Sequence, residues 1–303
     1  MDEAGYVPLE ARGVVALGGP EARPFLQGLI SNDLDRMSPG QALYAALLTP
    51  QGKFLFELLI FQVGDRILLE TERERVAALV QRLTLYRLRS KVEIADVSGD
   101  LRVAALLGGD LPARLGLDPR PGACRALDGG VVALDPRLIE LGARALLPPD
   151  RITAVLEEEF GLRRRPVEAY ERRRLTLGVP DGSRDMVLER ATLLESGFEE
   201  LHGVDFKKGC FVGQELTARM KYRGLVRKRL MPVRIHGPAP EPGTAIRRGE
   251  RDAGEMRSSV GDVGLALVRL EQALEARRSG TPLAAGEARI EPEVPPWANF
   301  SLD

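Results

Sequence analysis

From Gly224 onward the chain breaks into short apolar runs, Leu230 to Ile235, Ala245 to Arg248, Gly264 to Leu270 and Glu287 to Ile290, separated by Pro/Gly-rich turns. Runs this short suit strands better than helices. The stretch His236-Gly237-Pro238-Ala239-Pro240-Glu241-Pro242-Gly243 is a loop by composition. The tail, 225–303, therefore reads as a small all-β module, a barrel. At 303 residues the chain is too long for one small core, so 1–224 must hold at least one further module.

Upstream, strand and helix signals alternate. Gly13 to Leu17 reads as a strand, and Glu21 to Leu34 as an amphipathic helix carrying Phe25, Leu26, Leu29 and Ile30. Ala42 to Thr49, Phe54 to Val63 and Arg66 to Glu70 form a meander turned at Pro50-Gln51-Gly52 and Gly64-Asp65. Thr71 is suited to cap a helix through Arg87, striped by Val76, Leu79, Val80, Leu83 and Leu85. Strands are expected at Lys91 to Val97, Val103 to Leu107, Val131 to Leu134 and Ala143 to Leu147. Helices follow from Asp150 to Phe160 and from Pro166 to Leu177, the second stopped by Gly178-Val179-Pro180-Asp181-Gly182. The class is α+β.

Charge and cysteine usage exclude several functions. The net charge is -1, so nothing global draws the chain to DNA or a membrane. Basic runs at Arg87 to Lys91, Arg163 to Arg165, Arg172 to Arg174 and Lys221 to Arg229 read as solvated faces. Convergence of those runs on one face would instead suit RNA phosphates or folate polyglutamate. Two cysteines, Cys124 and Cys210, cannot build a disulfide framework or a four-thiolate metal site. No intrinsic metal site is expected. Cys124, in a Gly-rich loop, has no evident role. The acidic Met1-Asp2-Glu3-Ala4-Gly5 start has no signal-peptide character, and a monomer in the cytoplasm is expected. Walker, GxGxxG, HExxH and nucleophile-elbow motifs are absent from the sequence.

The chemistry concentrates in Lys207-Lys208-Gly209-Cys210-Phe211-Val212-Gly213-Gln214-Glu215. Lys208, two residues before Cys210, would project to the same side of an extended loop and favour the thiolate. Gly213 is placed to begin a helix whose positive end favours the same ionisation. Gly209 lets the backbone bend and a partner approach closely. The same residues also suit an inert buried cysteine, since free Cys is among the most buried residue types. His202 suits a proton shuttle or, more simply, a loop residue.

The string KKGCFVGQELTARMKYRG closely resembles the signature of the YgfZ family. Further pieces match in order: Phe25-Leu26-Gln27-Gly28 with Ser31-Asn32-Asp33, Leu48 to Lys53, Leu88 to Val92, and Gly178-Val179-Pro180. The resemblance implies the fold of the glycine-cleavage aminomethyltransferase, with two intertwined α+β modules forming a ring over 1–224 and a C-terminal β-barrel over 225–303. It implies a tetrahydrofolate site and a role in assembly or repair of iron–sulfur clusters, including those of tRNA-thiolating enzymes. Partners are then iron–sulfur client enzymes or assembly machinery. Cys210 becomes the working residue with Lys208 beside it, and the expected folate contacts are Tyr170, Arg12, Arg223, Gln214 and Glu215. Three positions depart from the patterns the resemblance implies. Arg12 stands where the YgfZ family carries a second folate-contacting aromatic, Thr176 stands where the aminomethyltransferases carry a pterin-binding glutamate, and Phe56 replaces their catalytic aspartate. Phenylalanine cannot do acid–base work, and Glu57 points to the other strand face. Aminomethyl transfer is thus expected to be absent. A folate-dependent one-carbon transferase and a scaffold that has lost folate are the alternatives.

Overall fold

The computed structural model describes residues 3–127 and 129–302. The chain forms two compact units, one of Met1–Leu48, Phe56–Tyr170 and Leu201–Val212, the other of Thr49–Leu55, Glu171–Glu200 and Gly213–Asp303.

The first unit is built on two sheets. One has six strands in the order Arg163–Arg164, Gly5–Pro8, Arg102–Leu107, Ala143–Leu147, Gly130–Leu134, Cys124–Leu127. All neighbours are antiparallel except the first pair, where Gly5 and Tyr6 face Arg163 and Arg164 in parallel. The other has five, in the order Leu43–Leu48, Phe54–Val63, Arg66–Glu72, Arg12–Gly18, Glu93–Asp96. All of Leu43–Leu48 and nearly all of Arg12–Gly18 are buried on both faces. A sheet covered on both sides reads as a continuous apolar run rather than an alternation, as the Phe54 to Phe61 stretch does. Charged residues in those strands, Arg12, Glu57, Glu70 and Arg144, are buried with the rest.

Two helices differ from their sequence expectation. The first stops at Gln27, and Leu34 begins a separate 3-10 turn. A helix continuing to Leu34 would send the Ser31 N–H to the Gln27 carbonyl, but that N–H goes to Ala46 O at 2.9 Å. The second begins at Val76 rather than after a Thr71 cap. Thr71 lies in the strand Arg66–Glu72, and its hydroxyl donates to Glu57 O at 3.1 Å. The buried stripe of this helix is Val76, Leu79 and Leu83, with Leu85 on the solvent side.

The second unit contains a closed barrel of Lys228–His236, Val263–Arg269, Arg251–Val260, Ala245–Arg248, Leu283–Ala285 and Ala288–Pro292. Its interior takes Met231, Val233 and Ile235 at period two, with Ile246, Met256 and Val268. The tail is not purely β, because Leu270–Ser279 is a helix that packs Ala273 into the barrel core and ends on left-handed Gly280. The fold class is α+β with a C-terminal barrel, as expected. Among the described residues no helix is long and apolar enough to cross a membrane.

Candidate functional site

Segment 202–212 is stitched onto Gly28–Asn32. Ser31 Oγ donates to Gly203 O at 2.6 Å, and Asn32 Nδ2 donates to His202 O and Tyr44 O, both at 2.7 Å. The Asp205 N–H donates to Ser31 O at 3.0 Å, and the Asp205 carboxylate accepts from the N–H groups of Lys207 and Lys208 at 2.7 and 3.2 Å. The Val212 N–H closes the far end on Gly28 O at 3.1 Å. Two motif pieces far apart in the sequence thus become one structure.

Lys208 is the anchor. Its Nζ donates to the carbonyls of Gln27, Ile30 and Asn32 at 2.8, 2.7 and 2.8 Å and lies 5.2 Å from the centre of the Phe211 ring. Burial pulls its pKa down to about 8, against the opposing charges of Asp33, Asp205 and Asp35. An ammonium has three protons, and all three are spent on carbonyls. Lys208 was expected to favour the Cys210 thiolate; its three donors go instead to these carbonyls, so it makes no hydrogen bond to the thiol and acts as the clamp of the loop. Cys210 follows this clamp by two residues and precedes the Val212 tether by two, and its thiol is exposed. Gly213 starts the helix Gln214–Arg223 in left-handed conformation, φ 83°, as its position in the motif suggests.

His202 has φ 60° and borders a cavity of about 350 Å³ with Asn32, Arg36 and Arg120. Burial lowers its pKa, and Arg36 adds to the lowering. Cys124 sits in a strand rather than a loop, its Sγ 3.3 Å from Pro39 O, and burial raises its pKa to about 11. A thiol in that state is inert at neutral pH.

Arg12 and Tyr170 belong to a buried network that the sequence did not announce. Arg12 Nε and Nη1 donate to Glu70 and Glu57 at 2.9 and 3.0 Å, and Tyr44 Oη donates to Glu57 at 3.2 Å. Arg144 reaches Glu70 at 3.3 Å and donates to Tyr170 Oη at 2.6 Å with its guanidinium 4.9 Å over the ring. Arg137 grips Asp135 through two bonds of 2.9 and 2.8 Å. Burial works against the Asp135 carboxylate, yet Arg137 and Arg144 hold its pKa below the ordinary value. Three guanidiniums meet three carboxylates, so the charges balance in the interior. Glu57 is committed to Arg12 and Tyr44 and is no free acid, while Phe56 lies under Arg75 at 4.3 Å.

Gln214, Glu215 and Arg223 belong to the second unit, and Gln214 and Arg223 stand at opposite ends of one helix, about 13 Å apart by its rise. Thr176 is exposed, its hydroxyl turned back to Arg172 O at 2.8 Å. Arg174, expected on a solvated face, is fully buried against Asp185 and Glu171, at 2.7 and 2.8 Å. Among the described residues no three His, Cys, Asp or Glu side chains converge to hold a metal.

A two-sheet α+β unit followed by a closed barrel is the aminomethyltransferase architecture. The glycine cleavage system aminomethyltransferase T of Bartonella henselae superposes with a TM-score of 0.76 at 17% identity, over 98% of this chain and 86% of that one. Residues 227–300 match the family model described as CAF17, C-terminal beta-barrel domain. The iron–sulfur cluster assembly factor IBA57 of Homo sapiens is 34% identical over 95% of this chain and 84% of its own, and that of Mus musculus is 32% identical over the same shares. The IBA57 homolog of Pyricularia oryzae is 31% identical over 94% and 77%. The chain belongs to the IBA57 family. These relatives are named as mitochondrial proteins, which overturns the cytoplasmic location expected from the sequence.

Tetrahydrofolate is the group that the aminomethyltransferase resemblance implies, and the residues expected to contact its pterin do not fit it. Tyr170 is 3% exposed, with its hydroxyl and ring both taken by Arg144. Arg12 is bound to two carboxylates. Stacking a pterin on the face of Tyr170 that Arg144 covers would displace that guanidinium and leave a buried donor without its acceptor, at a cost of about 1–3 kcal/mol.

Proposed function

We propose that this protein is an iron–sulfur cluster assembly factor whose working group is the Cys210 thiol and which performs no aminomethyl transfer. The observation that carries the reading is the exposed thiol on a loop held at Lys208 and Val212, in a chain of the IBA57 family. A rigid loop presents a soft ligand at low entropic cost to a protein partner or to a cluster in transit. One thiolate supplies one coordination position, so a cluster held here takes its remaining ligands from a partner. Phe56 and the committed Glu57 leave no general base for folate chemistry in this region. The interior network favours a protein that has given up pterin binding at Tyr170 and Arg12.

The test is rescue of cells lacking the family member, read as the activity of an iron–sulfur enzyme. Cys210→Ala should keep the melting temperature of the parent and lose rescue. Full rescue by that variant would remove the thiol from the mechanism. Calorimetry with tetrahydrofolate should give no saturable heat, and saturable one-to-one binding would restore the folate reading.

A further inference from the structure

A second feature of the first unit is independent of Cys210. A cavity of about 580 Å³ is lined by Arg12, Arg73, Arg102 and Arg164, with Glu10 as the one acid on its wall. It adjoins another of about 590 Å³ that shares Pro8, Glu10 and Arg164 and adds Arg165. Volumes of this size suit a small organic ligand.

The charge at this cavity is unbalanced, although the chain as a whole is near neutral. Several arginines elsewhere have an acid: Arg163 pairs with Glu3 at 3.0 Å, Arg172 with Asp262 at 2.7 Å and Arg234 with Glu293 at 3.2 Å. Arg12, at the back of the cavity, is neutralised by Glu57 and Glu70. The other three are not. Arg73 donates to Ser98 O at 3.3 Å, and Arg102 Nη1 is shared among the carbonyls of Ser98, Gly99 and Leu101 at 2.7, 3.3 and 3.5 Å; neither they nor Arg164 form an ion pair among the described residues. Each guanidinium keeps planar donors free for an oxyanion, and such forks match carboxylate and phosphate oxygens. Pro8, Leu9, Val103 and Ile152 supply apolar wall between the charges.

The three cations reach the cavity from three separate places. Arg73 follows the strand Arg66–Glu72, Arg102 begins the strand Arg102–Leu107, and Arg164 ends the edge strand Arg163–Arg164. Like charges so gathered repel one another, and a bound anion removes that cost. We propose that this cavity is a binding site for a small polyanion carrying two or more phosphate or carboxylate groups.

The probes are inorganic tripolyphosphate and citrate, titrated calorimetrically into the full chain at about 0.15 M salt, where long-range attraction is screened. Saturable one-to-one binding of at least one is expected. Binding of tripolyphosphate alone assigns the site to phosphates, and binding of citrate alone assigns it to carboxylates. R73Q, R102Q and R164Q should each weaken binding about two- to fivefold, as exposed ion pairs do. E10Q should tighten it about twofold by removing the opposing charge, a change a merely structural role would not produce. R163Q, outside the cavity, should leave it unchanged. No saturable heat with either probe, equal affinity in the triple variant, or weaker binding in E10Q would overturn the proposal.

Discussion

Arg144 meets Tyr170 twice, through a 2.6 Å hydrogen bond to the phenolic oxygen and through a guanidinium stacked 4.9 Å from the ring centre. The pair lies wholly inside the first unit, so Arg144 Nη2 depends on that oxygen for its acceptor. Tyr170→Phe keeps the stacked ring and deletes the acceptor. It should cost about 1–3 kcal/mol in urea unfolding, the penalty of an unsatisfied buried donor. No change in stability would mean that water replaces the hydroxyl.

Glu70 holds two arginines, Arg12 at 2.9 Å and Arg144 at 3.3 Å, and its side chain is 0% exposed. Glu70→Gln leaves the interior with one carboxylate too few. The expected loss is about 3–5 kcal/mol, because removing one partner strands buried charge. A Glu70→Gln/Arg144→Met double variant should recover part of it, and equilibrium denaturation of both variants checks this. Additive losses would show that the two residues are uncoupled.

Lys208→Met removes all three bonds to the Gln27, Ile30 and Asn32 carbonyls. The loop should loosen, with amide exchange at Asp205, Lys207 and Val212 faster and global stability down by about 1–2 kcal/mol. Lys208→Arg should not restore protection. A planar guanidinium cannot address three carbonyls arranged around a tetrahedral ammonium. Protection equal to the parent in Lys208→Met would show that Asp205 and Val212 hold the loop alone.

These residues also mark how far the sequence could be read. The barrel was legible because Pro and Gly cut the tail into strand-length pieces. The helix Gln214–Arg223 was legible because Gly213 precedes a continuous run of helix formers. The role of Lys208 was misread, since a local argument sees a neighbour two residues away and not carbonyls more than 170 residues back in the chain. The interior network was missed for the same reason. Arg12 finds Glu57 and Glu70 at separations of 45 and 58 residues, which no local pattern encodes. A signal did exist: Glu57 inside Phe54 to Phe61 and Arg144 inside Ala143–Leu147 are lone charges in apolar strands, and such charges are buried with partners. The helix Leu270–Ser279 was lost against the strand texture around it, although Leu270, Ala273 and Leu274 carry helical spacing.

His202 gives the protein an acid-side sensitivity. Its pKa in the fold lies below the ordinary value of 6.5 through burial and through Arg36. The unfolded chain therefore binds its proton first as pH falls. Stability from this group is complete above about pH 6.5 and declines as pH drops toward the folded value. His202→Asn should flatten that part of the stability-against-pH curve, and Arg36→Gln, by raising the folded value toward 6.5, should leave the onset in place and make the total loss on acidification smaller. Denaturant midpoints at pH 7.5, 6.5 and 5.5, each of the order of the reference value for histidine, test the sign. A midpoint that rises on acidification in the parent but not in His202→Asn would reverse it.

Two glycines separate what the fold needs from what a partner needs. Gly52 has φ 79°, and a Cβ there would stand 2.6 Å from both Gly213 O and Leu216 Cβ. Gly52→Ala should cost about 1–3 kcal/mol from backbone conformation alone, with the steric contact adding to it. Gly209, next to the working thiol, has no atom within 4 Å of a built Cβ and no positive φ. The fold does not require glycine there, so Gly209→Ala should leave stability within about 0.5 kcal/mol of the parent. If the loop meets a partner surface closely, Gly209→Ala should nevertheless impair rescue as Cys210→Ala does. A stable Gly209→Ala that rescues fully would show that the thiol is reached without close backbone approach.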